Sequence, residues 1–199
     1  MEFTRLNEKH IDDNLCFFDT ETTGLHAGKD RLLSLAFIVT NSKGVTLEEY
    51  HALVKPHGFR INEKSKAFMV NGISNEKANT EGFELKVVLR MFIDALVKYK
   101  PILIAHNFGF DKSFVANELT VLNWQIELAR FEGMKNFCTA NGCKGIVLGL
   151  SERRRPRLIE LYRHLHGKEF ENQHDALEDV KALLSCYFKL KRLGYSLTE

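Results

Sequence analysis

Leu15-Cys16-Phe17-Phe18-Asp19-Thr20-Glu21-Thr22-Thr23-Gly24-Leu25 is an apolar run that ends abruptly in acid. Residues 15–18 read as a short central strand, bounded by polar residues on both sides. Side chains alternate along a strand, so Asp19 and Glu21 fall on one face, near its C-terminal end. Working outward, 31–40 is a second strand, rich in Leu, Ile and Val. Asn41-Ser42-Lys43-Gly44 is a turn, and 46–54 is a third strand stopped by Lys55-Pro56. Three strands with short links predict an antiparallel meander.

The period then changes. Leu85, Val88, Leu89, Phe92, Ile93 and Leu96 follow helical spacing. Pro101 follows closely, and 102–105 is a compact buried strand. Residues 111–122 read as helix. The stretch 123–156 is ambiguous, with a strand candidate at 134–139 and a basic loop at 151–157. Leu158, Leu161, Tyr162 and Leu165 mark a helix that Gly167 can cap. Ala176, Val180, Leu183, Leu184, Tyr187 and Phe188 line one face of a last helix. Strands first, then alternating helix and strand, predict a single α/β domain over 1–199 with a mixed sheet.

Composition excludes more than it assigns. The formal net charge of +2 is too small to argue for a polyanion partner, so that case needs local features. Cys16, Cys138, Cys143 and Cys186 form no CxxC pair. With His164 and His166, the spacing of Cys138 and Cys143 matches no common zinc pattern, so buried free thiols are expected. No apolar run is long enough to span a membrane and the first fourteen residues lack a targeting pattern, which makes a cytoplasmic protein the expectation.

Three acidic strings remain. Two carboxylates as close as Asp19 and Glu21 repel each other unless a cation intervenes, and oxygen ligands suit Mg²⁺ or Mn²⁺. His106-Asn107-Phe108-Gly109-Phe110-Asp111 follows the strand at 102–105, and ligands gather beyond strand C-termini in α/β folds. His174-Asp175-Ala176-Leu177-Glu178-Asp179 opens the last helix, with Asp179 at the edge of its apolar stripe. Each has a plain alternative: a strand running into a turn, an N-cap at Asn107 or Asp111, an N-cap at Asp175. HNxxFD alone is expected by chance in roughly one of 160,000 start positions. The order DxE, HNxxFD, HxAxxD, each on its own element, is harder still to assign to chance.

Together these strings resemble the three motifs of the DEDDh, or DnaQ-like, 3′→5′ exonucleases, over nearly the whole chain. Met69-Val70-Asn71-Gly72-Ile73 resembles the segment which that family places between its third strand and first helix. Cys138-Thr139 departs from the family's Asp-Thr, and Asn71 stands where many proofreading subunits have His. The resemblance implies a ribonuclease H-like fold, a mixed five-stranded sheet flanked by helices. It also implies two divalent cations, Mg²⁺ or Mn²⁺, held by Asp19, Glu21, Asp111 and Asp179, with Asp19 shared between them. His174 would be the general base, since an imidazole titrates near pH 6.5. Thr22, Thr23, Gly24 and Leu25 would clamp the terminal nucleotide through backbone amides and a Leu25 wedge. Asn71, His106, Asn107 and Phe110 complete the expected substrate contacts. Phe110 reads as core before it reads as a stacking surface, and Arg153 to Arg155 as a solvated loop or a phosphate grip.

The expected substrate is a single-stranded 3′ end, DNA slightly before RNA. An RNA-trimming enzyme with the same centre is the nearest rival. A non-catalytic binding module is disfavoured, because all five catalytic positions are filled. A polymerase partner is compatible but not implied, and the short stretch after the last helix favours a free-standing enzyme.

Overall fold

The computed structural model describes residues 13–147, 149–151 and 153–195. A five-stranded sheet runs in the order β3-β2-β1-β4-β5. Its strands are β1 (Leu15–Thr22), β2 (Leu32–Thr40), β3 (Thr46–Leu53), β4 (Ile102–Ala105) and β5 (Asn136–Cys138). The expected meander is present: β1 pairs antiparallel with β2, and β2 with β3. β4 then joins β1 in parallel and β5 joins β4 in parallel, which makes the sheet mixed. β2 is buried along its whole length, as its near-continuous apolar run requires.

Alternation sends the two faces of β1 to two cores. Cys16 and Phe18 pack with Phe37, Phe92, Phe114 and Phe131. This side is covered by α3 (Leu85–Tyr99), α4 (Phe108–Val121) and α5 (Gln125–Glu132). Leu15 and Phe17 pack with Ile38, Ile104, Val180, Leu183 and Tyr187 on the other side. There the cover is α7 (Leu158–His166) and α8 (Ala176–Arg192). Asp19 and Glu21 continue the Leu15–Phe17 row, so they face α8. All four cysteines are buried free thiols.

Several boundaries differ from the sequence reading. β1 extends beyond the apolar run through Thr22, so both acids lie on the paired strand near its C-terminal end, as expected. α4 begins at Phe108, three residues before Asp111, because Asn107 takes φ 89° and turns the chain into the helix early. Asn107 holds the cap position but makes no side-chain cap bond, and Asp111 lies inside the first turn. The strand expected at 134–139 shortens to three residues and is followed at once by α6 (Thr139–Gly142). Two helices went unread, α1 (Lys66–Asn71) and α2 (Asn75–Glu81). Among their residues only Ala78 is buried, so no apolar stripe announced them. Their signal was the caps: the Ser65 and Ser74 side chains accept from Phe68 and Lys77, and Gly72 and Gly82 close them. The Met69 to Ile73 segment is thus the end of α1 and its link to α2. α5 was missed for the same reason, with Phe131 its one buried residue.

One ion pair fixes α4 to the sheet. The Glu118 carboxylate, 1% exposed, accepts two bonds from the Arg31 guanidinium, each 2.8 Å, and a third from the Leu32 amide. This anchors the helix that carries Asp111 beside the strand that carries Asp19.

Candidate active site

Four carboxylates meet where β1 ends. Asp19 and Glu21 come from β1 and Asp179 from the first turn of α8, all on one face. Asp111 arrives from α4 on the opposite face. Its Oδ1 accepts from the Thr20 hydroxyl at 2.7 Å and the Thr20 amide at 3.1 Å. Thr20, between the two acids, is therefore what fixes Asp111, a role its spacing gave no hint of. Glu21, His174 and Asp179 each bring a ligand atom within 4.8 Å of the others.

His174 stands just before α8 with φ 68°, a left-handed conformation that costs a non-glycine residue of order 1–3 kcal/mol. Its amide donates to Asp179 Oδ2 at 3.2 Å. The helix cap is Asp175, whose Oδ1 accepts from the Leu177 and Glu178 amides. His174 does no capping, and its side chain is exposed beside the acids.

The acids oppose one another's charge. Burial pushes Asp19 well above the ordinary carboxylate range, and Asp111, Asp179, Glu21 and Asp175 push it further. Glu21 is raised to about 8 by burial and then by Asp179, despite a bond from Asn71. Asp111 is raised to about 7 by burial, against the two Thr20 bonds. Asp179 is raised to about 7 by burial, then by Asp175 and Glu178. An all-oxygen cluster with one imidazole, desolvated and mutually repelling, fits hard divalent cations.

A stability consequence follows. Glu21, Asp111 and Asp179 hold protons more tightly when folded than at their ordinary values of 4.5, 3.8 and 3.8. Their contribution is full below about pH 4 and is lost as pH rises through about 7 to 8. In chelator, Tm should therefore fall between pH 5 and 8.5, and Mg²⁺ should raise Tm far more at pH 8 than at pH 5. Thermal melts with and without Mg²⁺ check this; an equal Mg²⁺ effect at both values contradicts it.

Among the described residues three clefts border the acids, and one of them, of about 350 Å³, is lined by residues that include Glu21, His51, Lys77 and Asp175. Another, of about 320 Å³, is lined by residues that include Glu21, Thr22, Thr23, Gly24, Leu25, Val70, Asn71 and Phe110. Leu25 is 76% exposed, an apolar side chain left at the rim. Phe110 does two jobs, packing its ring 4.9 Å from Phe114 and lining this cleft. The turn from Thr23 to Arg31 is tied by Asp30, which accepts from the Thr23 hydroxyl and the His26 amide. The Thr23 amide is spent on Arg31. Among the described residues, the Gly24 and Leu25 amides make no hydrogen bond within the protein. A Cβ on Gly24 would sit 2.4 Å from the Asp30 carboxylate. Gly24→Ala should thus displace the turn and raise KM about ten-fold, an effect of about 1.4 kcal/mol; steady-state kinetics check it, and an unchanged KM contradicts it.

Asn71 and His106 are used by the protein itself. Asn71 donates to the Thr22 carbonyl and accepts from the Ile73 amide. His106 Nδ1 lies 2.9 Å from the Thr139 hydroxyl and Nε2 lies 2.9 Å from the Pro156 carbonyl. Both ring nitrogens of His106 are thus engaged within the protein. The third cleft, of about 490 Å³, includes His106, Asn107, Arg155, Arg157, Phe170, His174 and Asp179. A further hollow of about 450 Å³, beside Pro101 and Ile102, opens at the start of β4 and holds none of the four carboxylates.

The exonuclease family model RNase_T matches residues 16–187, and the chain belongs to that family, the DnaQ-like 3′→5′ exonucleases of DEDDh type. It is 28% identical to DNA polymerase III subunit epsilon of Buchnera aphidicola, over 85% of this chain and 69% of that one. It is 27% identical to the PolC-type DNA polymerase III of Listeria innocua, over 87% of this chain but 13% of that one. Exonuclease I shares its ribonuclease H-like fold, with a TM-score of 0.78 and 21% identity over 90% of this chain. The chain spans 41% of that structure's length. E. coli exonuclease I in complex with a dA16 oligonucleotide also matches, with a TM-score of 0.72, 20% identity, and cover of 90% of this chain and 41% of that one. Among the described residues, no helix is long and apolar enough to cross a membrane.

Proposed function

We propose that this enzyme shortens single-stranded nucleic acid from its 3′ end, DNA before RNA, and releases nucleoside 5′-monophosphates with the help of two divalent cations, Mg²⁺ or Mn²⁺. The observation that carries the reading is the meeting of Asp19, Glu21, Asp111 and Asp179 with His174 between two clefts. Asp19, Glu21 and Asp179 would hold one cation, with Asp19 and Asp111 holding the other. Bound there, the cations would neutralise the carboxylates and the phosphate and lower the pKa of water. His174, exposed and next to Glu21 and Asp179, accepts the proton of the attacking water at an imidazole nitrogen. The Gly24 and Leu25 amides receive the terminal hydroxyl, and Leu25 and Phe110 hold the last base between apolar surfaces. A chain end held in the clamp would bring the scissile phosphate over the acids, which favours ends over internal bonds. The preference for DNA is supported by the polymerase relatives and by the oligonucleotide bound to exonuclease I.

The test uses matched single-stranded DNA and RNA carrying a 5′ label, incubated with the chain and Mg²⁺. A ladder that shortens from the 3′ end, faster on DNA, is expected. Internal cuts, or no shortening of either strand, overturn the reading.

A further inference from the structure

A strand whose last nucleotide sits against Leu25 and Phe110 must leave the carboxylates by another route. The 490 Å³ cleft opens beside Asp179 and His174, across from the clamp. Its walls carry the chemistry of a nucleic-acid track. Among four neighbouring arginines, Arg154 and Arg157 share the Glu160 carboxylate, at 3.0 and 3.2 Å. Among the described residues no carboxylate pairs with Arg155, which makes a long 3.4 Å contact to the Asn107 side-chain oxygen. Phe170 lines the same cleft, with its edge set against Tyr162 at 5.2 Å between centroids. An unneutralised guanidinium beside an aromatic ring suits a phosphate and the base attached to it.

The loop that presents Arg155 is held in place. Pro156 is buried, and its carbonyl accepts from His106 Nε2. Burial lowers the His106 pKa to about 4, so the ring is neutral at physiological pH. One tautomer then serves both contacts, Nε2–H donating to Pro156 and Nδ1 accepting from the Thr139 hydroxyl. The second motif's histidine therefore works as a strut between the end of β4 and the arginine loop.

We infer that this cleft is a second nucleotide subsite, taking the strand on the 5′ side of the scissile bond, with Arg155 on its phosphate and Phe170 under its base. The inference rests on the exonuclease reading above and adds where the rest of the substrate lies. Binding of a labelled dT12 strand, read by fluorescence anisotropy over a salt series, tests it without turnover. Arg155→Ala should weaken binding about ten-fold and make the slope of log K against log salt shallower by about 0.7, one phosphate contact on a single strand. Phe170→Leu should weaken binding about five-fold with the slope unchanged. Arg154→Ala, already paired with Glu160, should change neither. In kinetics, kcat/KM for dT12 relative to a dinucleotide should fall about ten-fold in Arg155→Ala.

Wild-type affinity and slope in Arg155→Ala overturn the subsite. So does an equal loss on dT12 and the dinucleotide, which would put Arg155 at the scissile phosphate. If the unaltered chain hydrolyses neither substrate, the exonuclease reading fails by itself, and the anisotropy series still decides the subsite.

Discussion

Asp19→Asn is expected to lower kcat/KM by about 10³-fold or more while leaving the metal-free protein at least as stable as before. The rate effect follows from position. Asp19 lies close enough to Asp111, Asp179 and Glu21 for each of the three to oppose its charge. If it is shared by both cations, its loss weakens both together, and several kcal/mol of transition-state stabilisation corresponds to about that factor. The stability effect follows from charge. Every influence on Asp19 raises its pKa, and among the described residues no donor bonds to its carboxylate. An amide of the same shape removes repulsion and breaks no bond. Activity and melting temperature of the variant in chelator check both parts. Near-normal turnover sinks the shared-ligand role, and a large drop in Tm shows instead that Asp19 is structural.

His174→Ala should cost about 10²–10⁴-fold in kcat, the range for a lost general base, with cation affinity and Tm retained. The structure sharpens this contrast, because the cap of α8 is Asp175. Removing the Asp175 side chain should cost about 1 kcal/mol of stability, whereas His174 contributes no cap bond to lose. His174 also sits at φ 68°, which alanine keeps at similar strain, so no relief of backbone energy confuses the reading. A variant with a lowered Tm and ordinary turnover contradicts the proton-acceptor role. Unchanged Tm with a large fall in kcat supports it.

The contrast between legible and illegible features is physical. Strands β1 and β2 and helices α3 and α8 bury long apolar runs or faces, and the sequence carries that pattern. Helices α1, α2 and α5 bury almost nothing, so their existence is written in caps and turns rather than in pattern. The acids were readable because alternation and helix spacing place them without knowledge of contacts. What could not be read was who satisfies whom. Thr20 holding Asp111, Asp30 tying the clamp turn and His106 bracing Pro156 are contacts across 91, 7 and 50 positions. Only the middle one is local, and it needed the turn's geometry. Phe170 and Gln173, both on the 490 Å³ cleft, follow α7 in a segment with no period at all.

Two cations held by Asp19, Glu21, Asp111 and Asp179 would make strand shortening depend on added metal. The chain is stripped with chelator and the shortening rate of a 5′-labelled single strand is followed as Mn²⁺ is restored. No shortening in chelator, and recovery that rises more steeply than a single binding curve, is the expected result for carboxylates that must load two cations. Full shortening in excess chelator would contradict the account.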